Sequence, residues 1–511
     1  MRWTVQQVAG ALGVAAPAGV DAVARVAGFS IDSRTIGAGE LFIAIHGPRH
    51  DGHAFVAAAL GRGAVAAVVA RTHLDQYAGP VRKKLFAVDD TFAALHQLAW
   101  TARNAWRTAD ARHRLAGVTG SAGKTTTKEI LAALLAARGR VLKNEGNLNN
   151  EYGVPLTLLR LEEEHHAAVL ELGMSRRGEL TRLALLAEPE VGVVTRVAPV
   201  HLEFFASLEE IALAKRELIE NLAGSAPVAV LNADDPRVAA FAPHCRGRVL
   251  TFGFSEGADF RAVNVEDRGS EGSAFDLIVR ANTEAKAGKI LRFAQDDNAK
   301  HAEQKPGATH ARLELPLAGR HNVMNALAAL AAASTWGIGV EEARRVFPAL
   351  APAAMRGEVL KFQAGFTVIS DCYNSNPAAL TSMVDVLAST GGYRRRVLAA
   401  GEMLELGPDS PRLHHRAGQQ AASAGMDWIF GVQGLAEEFV RGAQEAGQPP
   451  ARTKFFANSD EAAAFLRDFI EPGDIILVKG SRGVRMERIV EALTEKYSPA
   501  KSDQQEVSRR S

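Results

Sequence analysis

The sequence predicts an α/β protein of three domains: a small N-terminal α/β domain, a central domain built on a parallel sheet around a phosphate loop, and a doubly wound C-terminal domain. Three observations carry this expectation. The chain has 511 residues, enough for about three domains at roughly 100–200 residues each. From Leu115 onward, short β-type runs alternate with helical stretches, as βαβ units require. A glycine-rich turn at 120–123 joins one such run directly to a helix.

Composition narrows the class further. Lys and Arg total 59 against 58 Asp and Glu, a net charge of +1, so nothing marks nucleic acid or an anionic membrane as the main partner. Hydrophobic residues at 47% and charged residues at 23% exclude a disordered or fibrous chain. Two cysteines, Cys245 and Cys372, supply neither a disulfide framework nor zinc spacing. No run approaches the roughly 20 apolar residues of a membrane helix. "VAGALGVAAPAGV" near the start resembles the apolar part of a signal peptide, but its only upstream charge is Arg2, and Gln6 and Gln7 interrupt the segment between them. The expectation is a cytoplasmic protein without membrane insertion.

Within residues 1–110, "LFIAIHG" and "AVAAVVA" read as strands, "DGHAF" as a turn, and a helical stretch ends near Trp106 before the polar linker "RTADARHR". Residues 111–353 carry the strand-like "LAGVTG", "AAVLELG", "VGVVTRV" and "PVAVLNAD". They are interrupted at about 281–312 by a charged, aperiodic stretch that reads as an exposed insertion. Prolines in "FPALAPAAMRGEV" mark a boundary near 353. A second alternating series follows over 354–497 ("GFTVISD", "RRVLAAGE", "DWIFGV", "PGDIILVKG"), and 498–511 reads as a disordered tail.

The sharpest chemical signal is "LAGVTGSAGKTTTKEI". Thr119, Gly120, Ser121, Ala122 and Gly123 form a turn whose amides can cradle phosphate oxygens. Lys124 can reach the β/γ-phosphates, the Thr125 hydroxyl can ligate Mg²⁺, and Thr126 lies in the same first helical turn. Val118 stands where the long form of the motif places a glycine, so the short TGSxGK[ST] form is present. Nucleotide triphosphate binding is expected, against the plainer reading of a glycine turn with a solvated lysine.

Other residues gain weight by company. Glu171 ends "AAVLE", where open α/β sheets bind ligands, although a strand-end glutamate also serves as a cap. His201 follows the next strand, and on its own it divides evenly between structural and ligand readings. In "SLEEIALAKRELIENL" the stripe Ile211, Leu218, Leu222 is completed by Lys215. A buried lysine is pushed toward its neutral amine, which can take up CO₂ as a carbamate; the alternative is snorkelling to solvent. Asn322 and Asn325 open the amphipathic "RHNVMNALAALAAA", offering amides to a purine edge or simply capping. Asp371 ends "FTVIS", where a carboxylate can hold ribose hydroxyls, and "VKGSRG" places Lys479 and Arg482 in a glycine turn suited to an anion.

Taken in order from about Ser30 to about Arg488, these motifs resemble the Mur ligases of peptidoglycan synthesis. "GNLNNEYGVPLTLL", "DCYNSNPAAL", "GEMLELG" and "LVKGSRG" are similar to the family's D-alanyl-D-alanine-adding branch, and the "DNPR" of the diaminopimelate-adding branch is absent. The resemblance implies an N-terminal UDP-binding domain, a central P-loop ATPase domain and a Rossmann-like C-terminal domain. It implies a monomeric ATP-dependent amide ligase whose partners are UDP-N-acetylmuramoyl-tripeptide and D-alanyl-D-alanine. ATP and two Mg²⁺ are implied, with Thr125 and Glu171 at the first ion and His201 and a carbamylated Lys215 at the second. Asn322, Arg356 and Asp371 match nucleotide contacts. Ser33, Arg34, Asn147, Asn149 and Asn150 match the UDP-muramoyl side, and Asn374, Lys479 and Arg482 the substrate side of the C-terminal domain. One departure stands out, since Arg196 follows Thr195 where the family usually has Asn. A diamino-acid-adding ligase, a folylpolyglutamate synthase-like ligase and a P-loop switch protein are the alternatives.

Overall fold

Runs of Val, Leu, Ile and Ala build three sheets, flanked by helices whose apolar faces cover them. The computed structural model describes residues 3–47, 50–199, 203–205, 207–280 and 309–500. The first sheet is parallel and ordered β1-β2-β3-β4, with β1 Phe29–Ser30, β2 Leu41–Ile43, β3 Ala66–Ala70 and β4 Leu85–Val88. The second contains β5 Arg114–Thr119, β6 Arg140–Lys143, β7 His165–Glu171, β8 Val191–Val194, β9 Val228–Asn232, β10 Arg248–Gly253, β11 Phe260–Asp267, β12 Ser273–Val279 and β13 Thr309–Leu315. Its order is β13-β12-β11-β10-β9-β8-β5-β7-β6. The third holds β14 Glu358–Lys361, β15 Thr367–Asp371, β16 Arg395–Gly401, β17 Trp428–Val432, β18 Thr453–Phe456 and β19 Asp474–Lys479, ordered β14-β15-β19-β16-β17-β18.

Every residue of β8 and β9 is buried, and all of β5 beyond Arg114, as expected for parallel strands covered on both faces. The parallel run from β6 to β11 is extended by β12 and β13, which pair antiparallel, and β14 adds an antiparallel edge to the third sheet. Order decides where chemistry can occur. Because β5 lies between β7 and β8, the carboxyl ends of three strands open side by side at a point where the chain reverses direction across the sheet.

One hydrophobic core joins the first sheet to one face of the second, running from Trp3, Leu98 and Trp106 to Leu115, Leu158 and Leu183. The helix Thr91–Ala109 is the splice. Its Arg103 is 1% exposed, donates to Leu186 O and pairs with Glu188, while Trp106 Nε1 donates to His165 O at 2.7 Å. The expected linker "RTADARHR" is therefore no free tether. The helix continues to Ala109, and His113 is buried with its ring stacked on Trp106 at 4.7 Å. The third sheet has its own two cores, one of which takes in Ala318 from the second unit.

Two sequence expectations need correction. The last residues of the expected 281–312 insertion belong to the sheet, since β13 starts at Thr309 and pairs along the whole of β12, completing its hydrogen bonds; 281–308 lies outside the described residues. The tail expected from 498 is corrected at its first three residues. Ser498, Pro499 and Ala500 pair with Lys361, Phe362 and Gln363, satisfying backbone groups that an edge would leave open, and 501–511 lies outside the described residues. Among the described residues no helix is long and apolar enough to cross a membrane.

Two measurements check this packing. Trp106→Ala should destabilise the joined first and second units by about 3–5 kcal/mol in urea unfolding, because a buried indole and its hydrogen bond are lost together. Cys372 is fully buried with its thiol pushed up to about 12 by that burial. Iodoacetamide at pH 8 should thus label only the half-buried Cys245 in the folded protein, with Cys372 modified after denaturation, as read by peptide mass spectrometry.

Candidate active site

The phosphate loop leaves β5 and enters the helix Lys124–Ala136 through Gly120 and Gly123, both at positive φ. Neither tolerates a side chain. A Cβ at Gly120 would lie 1.9 Å from Thr195 Oγ1, and one at Gly123 would lie 2.2 Å from Asn325 Oδ1. The loop is fastened to the chain that follows β8: Thr195 Oγ1 donates to Ala122 O at 2.6 Å, Ser121 N donates to Arg196 O at 2.7 Å, and Ser121 Oγ bridges the backbone of Ala198. No side chain caps the helix, so its first-turn amides and positive dipole end are left to an anion. Lys124 arches back over the loop, its ammonium donating to Gly120 O at 2.8 Å. Burial holds that ammonium below the usual lysine range, with Arg356 repelling it and Glu171 opposing the shift.

At the end of β7, Glu171 is 2% exposed, yet both carboxylate oxygens are engaged. Thr125 Oγ1 donates to Oε2 at 2.6 Å and Asn149 Nδ2 to Oε1 at 2.8 Å. Asn144 grips the Glu171 backbone from both sides, accepting from its N–H and donating to its carbonyl, each at 2.9 Å. Lys215, on the helix Leu208–Glu220, is also 2% exposed and its amine lies well below the ordinary lysine range, first through burial and then through repulsion by Lys124. Among the described residues it donates to no acceptor. This donor set suits a hard cation: a hydroxyl, a carboxylate and an amide oxygen-bearing loop, beside an amine whose charged form burial disfavours. His201 lies outside the described residues.

Asn325 Oδ1 abuts Gly123, and Asn325 Nδ2 donates to Asn322 Oδ1 at 3.0 Å, which sets Asn322 beside the loop at the start of the helix Arg320–Ser334. From the third unit, the Arg356 guanidinium stacks over Tyr373 at 3.9 Å and is near enough to perturb Lys124. Asp371 and Lys479 are register partners on β15 and β19, and their side chains pair at 2.6 Å. Lys479 is 2% exposed and also donates to Asn374 O, so it braces Asp371 rather than standing free. Arg482 is exposed and pairs with Glu487, and Asn374 Oδ1 accepts from Ser375 N. Among the described residues the exposed Asn147 makes no side-chain bond, whereas Asn150 Oδ1 accepts from Tyr152 N and Gly153 N at the start of a helix. Ser33 and Arg34 sit in the first unit, where Arg34 is forked onto Asp32. Thr126 is half-buried in the first helical turn and Thr119 fully buried, its hydroxyl donating to Leu172 O.

Sequence reasoning missed Asn144, Thr195 and Lys128. The last carried a signal, since Lys128 lines up with Leu131 and Leu135 on the buried face of its helix. A separate group, Asp51, His53 and His73, brings metal-type ligand atoms together in the first unit. There His53 has both ring nitrogens engaged, Nδ1 with Asp51 at 2.6 Å and Nε2 accepting from Ala70 N, which ties the end of β3 to the turn at Asp51.

Comparison with known proteins now bears on the chain as a whole. Residues 118–333 match the Mur ligase middle domain, 355–482 the Mur ligase glutamate ligase domain, and 25–102 the Mur ligase family catalytic domain. The UDP-N-acetylmuramoyl-tripeptide–D-alanyl-D-alanine ligase of Bacillus subtilis is 32% identical over 92% of this chain and 93% of its own length, and that of Escherichia coli 34% over 91% and 93%. MurF from Acinetobacter baumannii superposes with a TM-score of 0.79 at 29% identity, covering 97% of this chain and 99% of that one. MurF of Thermotoga maritima, solved with ADP, gives 0.72 at 26%, covering 92% and 97%. With three family segments in order and relatives aligned over nearly the full length, the chain belongs to the Mur ligase family.

Proposed function

We propose that this protein is an ATP-dependent amide ligase that joins D-alanyl-D-alanine to UDP-N-acetylmuramoyl-tripeptide, giving the UDP-muramoyl-pentapeptide, ADP and phosphate. The observation that carries this reading is the meeting of the glycine loop, Lys124 and the buried Thr125–Glu171 pair, within reach of Arg356 from the third unit. That arrangement neutralises and aligns phosphoryl oxygens, and both cysteines lie outside it. In the proposed reaction a carboxylate oxygen of the tripeptide attacks the γ-phosphorus and ADP departs, leaving an acyl phosphate. The amine of D-alanyl-D-alanine then adds to the acyl carbon. Collapse of the tetrahedral intermediate expels phosphate, and the amine gives up a proton. Lys124, the helix amides and Arg356 hold the transferring charge.

Thr125 and Glu171, with His201 and Lys215, would hold Mg²⁺, which supplies further charge neutralisation on the phosphate oxygens. Lys215 is assigned as a carbamate: its neutral amine adds to CO₂ and loses a proton, turning a buried cation into an anionic oxygen donor. We further assign 1–110 to the UDP-muramoyl group, with Ser33 and Arg34, and 111–353 to ATP, with Asn322 toward adenine. Residues 354–497, with Asp371, Asn374, Lys479 and Arg482, would complete the nucleotide and acceptor sites. One chain supplies every residue named, so a monomer in the cytoplasm, where ATP and nucleotide-sugar precursors meet, suffices.

The decisive experiment supplies ATP with UDP-muramoyl-dipeptide or -tripeptide, each with D-alanyl-D-alanine or a diamino acid, and scores product mass. Product is expected only from tripeptide with D-alanyl-D-alanine, and its absence there overturns the assignment. Lys124→Ala should lower turnover about a hundredfold or more. Lys215→Ala should lose most turnover and regain part of it with added formate or acetate; loss with no response to bicarbonate or a small carboxylate would make Lys215 a plain structural residue.

A further inference from the structure

We propose that Lys128 is a positioning residue that couples the phosphate-loop helix to both the metal-holding carboxylate and the muramoyl-side loop, acting through Asn144. This rests on the reading of Glu171 given above and extends it to residues that touch neither nucleotide nor substrate.

The geometry is a closed chain of buried hydrogen bonds. Lys128 is 1% exposed and sits one turn beyond Thr125 on the same helix. Its ammonium donates to Asn144 O at 2.6 Å and pairs with Glu129 at 2.9 Å; Glu129 is shared with Lys143. Asn144, 2% exposed, spends its side chain on two neighbours: Oδ1 accepts from Glu171 N, and Nδ2 donates to the carbonyls of Glu171 and Leu148. Leu148 precedes Asn149, whose amide returns to the Glu171 carboxylate. The helix thus fixes Glu171 at two points, through Thr125 on the carboxylate and through Lys128 and Asn144 on the backbone.

A lysine placed here has a reason beyond packing. An apolar residue at this stripe position would fill the space as Leu131 and Leu135 do, at lower desolvation cost. A buried ammonium is kept because, among the described residues, no other donor reaches the Asn144 carbonyl, and a charge-assisted bond of this length is stiff. Groups that orient a metal-holding carboxylate commonly change metal affinity by about 10- to 100-fold when removed. The loop 144–149 hangs on the same bond, so binding of the muramoyl substrate should respond together with the metal, while the phosphate loop itself, built on Gly120, Gly123 and Thr195, should not.

The test uses the full-length protein as Lys128→Met and as Asn144→Asp, which turns two donated bonds into repulsions. Mn²⁺ binding to the ADP complex is read by electron paramagnetic resonance, ADP binding in EDTA by calorimetry, and the KM for UDP-muramoyl-tripeptide by steady-state kinetics. Expected are Mn²⁺ affinity lowered about tenfold or more, a raised tripeptide KM, and metal-free ADP affinity within about twofold of wild type. Should Lys128→Met fail to fold, Asn144→Asp carries the same readings. Glu171→Gln separates two failures. Mn²⁺ binding weakened by Glu171→Gln but unchanged in a folded Lys128→Met or Asn144→Asp overturns the coupling alone. Binding unchanged in all of them overturns the metal reading of Glu171 and the coupling with it.

Discussion

A carboxylate sealed from water is costly unless its oxygens and its backbone are satisfied from within, and Glu171 meets that demand on every atom. Its partners come from the helix that carries Lys124, from the segment after β6 and from the loop that carries Asn149. Each is placed by the order of strands in the second sheet. With β5 lying between β7 and β8, the end of β7 faces the first turn of the phosphate-loop helix, and the chain leaving β8 delivers Thr195 and the backbone of Arg196 to clamp the loop. A different strand order would leave the same residues apart.

The third unit is attached in another way. The first and second sheets share a core through the helix Thr91–Ala109, whereas the third contributes its own cores and acts on the site through Arg356. Asp371 is held by a buried lysine from the neighbouring strand, so its orientation is set by strand register. A rigid first pair and a separately packed third unit suit a reaction in which two substrates and a nucleotide must be brought together and then released.

Much of this was legible in the chain. The glycine turn, the strand-end glutamate and the out-of-place Lys215 follow from periodicity and spacing, because local geometry determines them. Lys128 gave the same sign as Lys215 and was obscured by the loud motif beside it. What could not be read depends on contacts between distant segments. Lys479 and Asp371 are 108 residues apart and meet only through sheet register. Asn150, expected on the substrate side, has its oxygen committed to a helix start, and residues 498–500 join an edge strand that no local pattern announces. The same distinction explains Arg196: its backbone has a clear task in clamping Ser121, and nothing in the structure explains its exposed side chain.

The central claim is that the site serves phosphoryl transfer to a carboxylate and not ATP hydrolysis. UDP-muramoyl-tripeptide labelled with heavy oxygen in its terminal carboxylate, supplied with ATP and D-alanyl-D-alanine, tests it directly. One labelled oxygen per turnover should appear in the released phosphate, since the acyl phosphate passes its bridging oxygen to phosphorus. Phosphate free of label, with the oxygen drawn from water instead, would contradict the account.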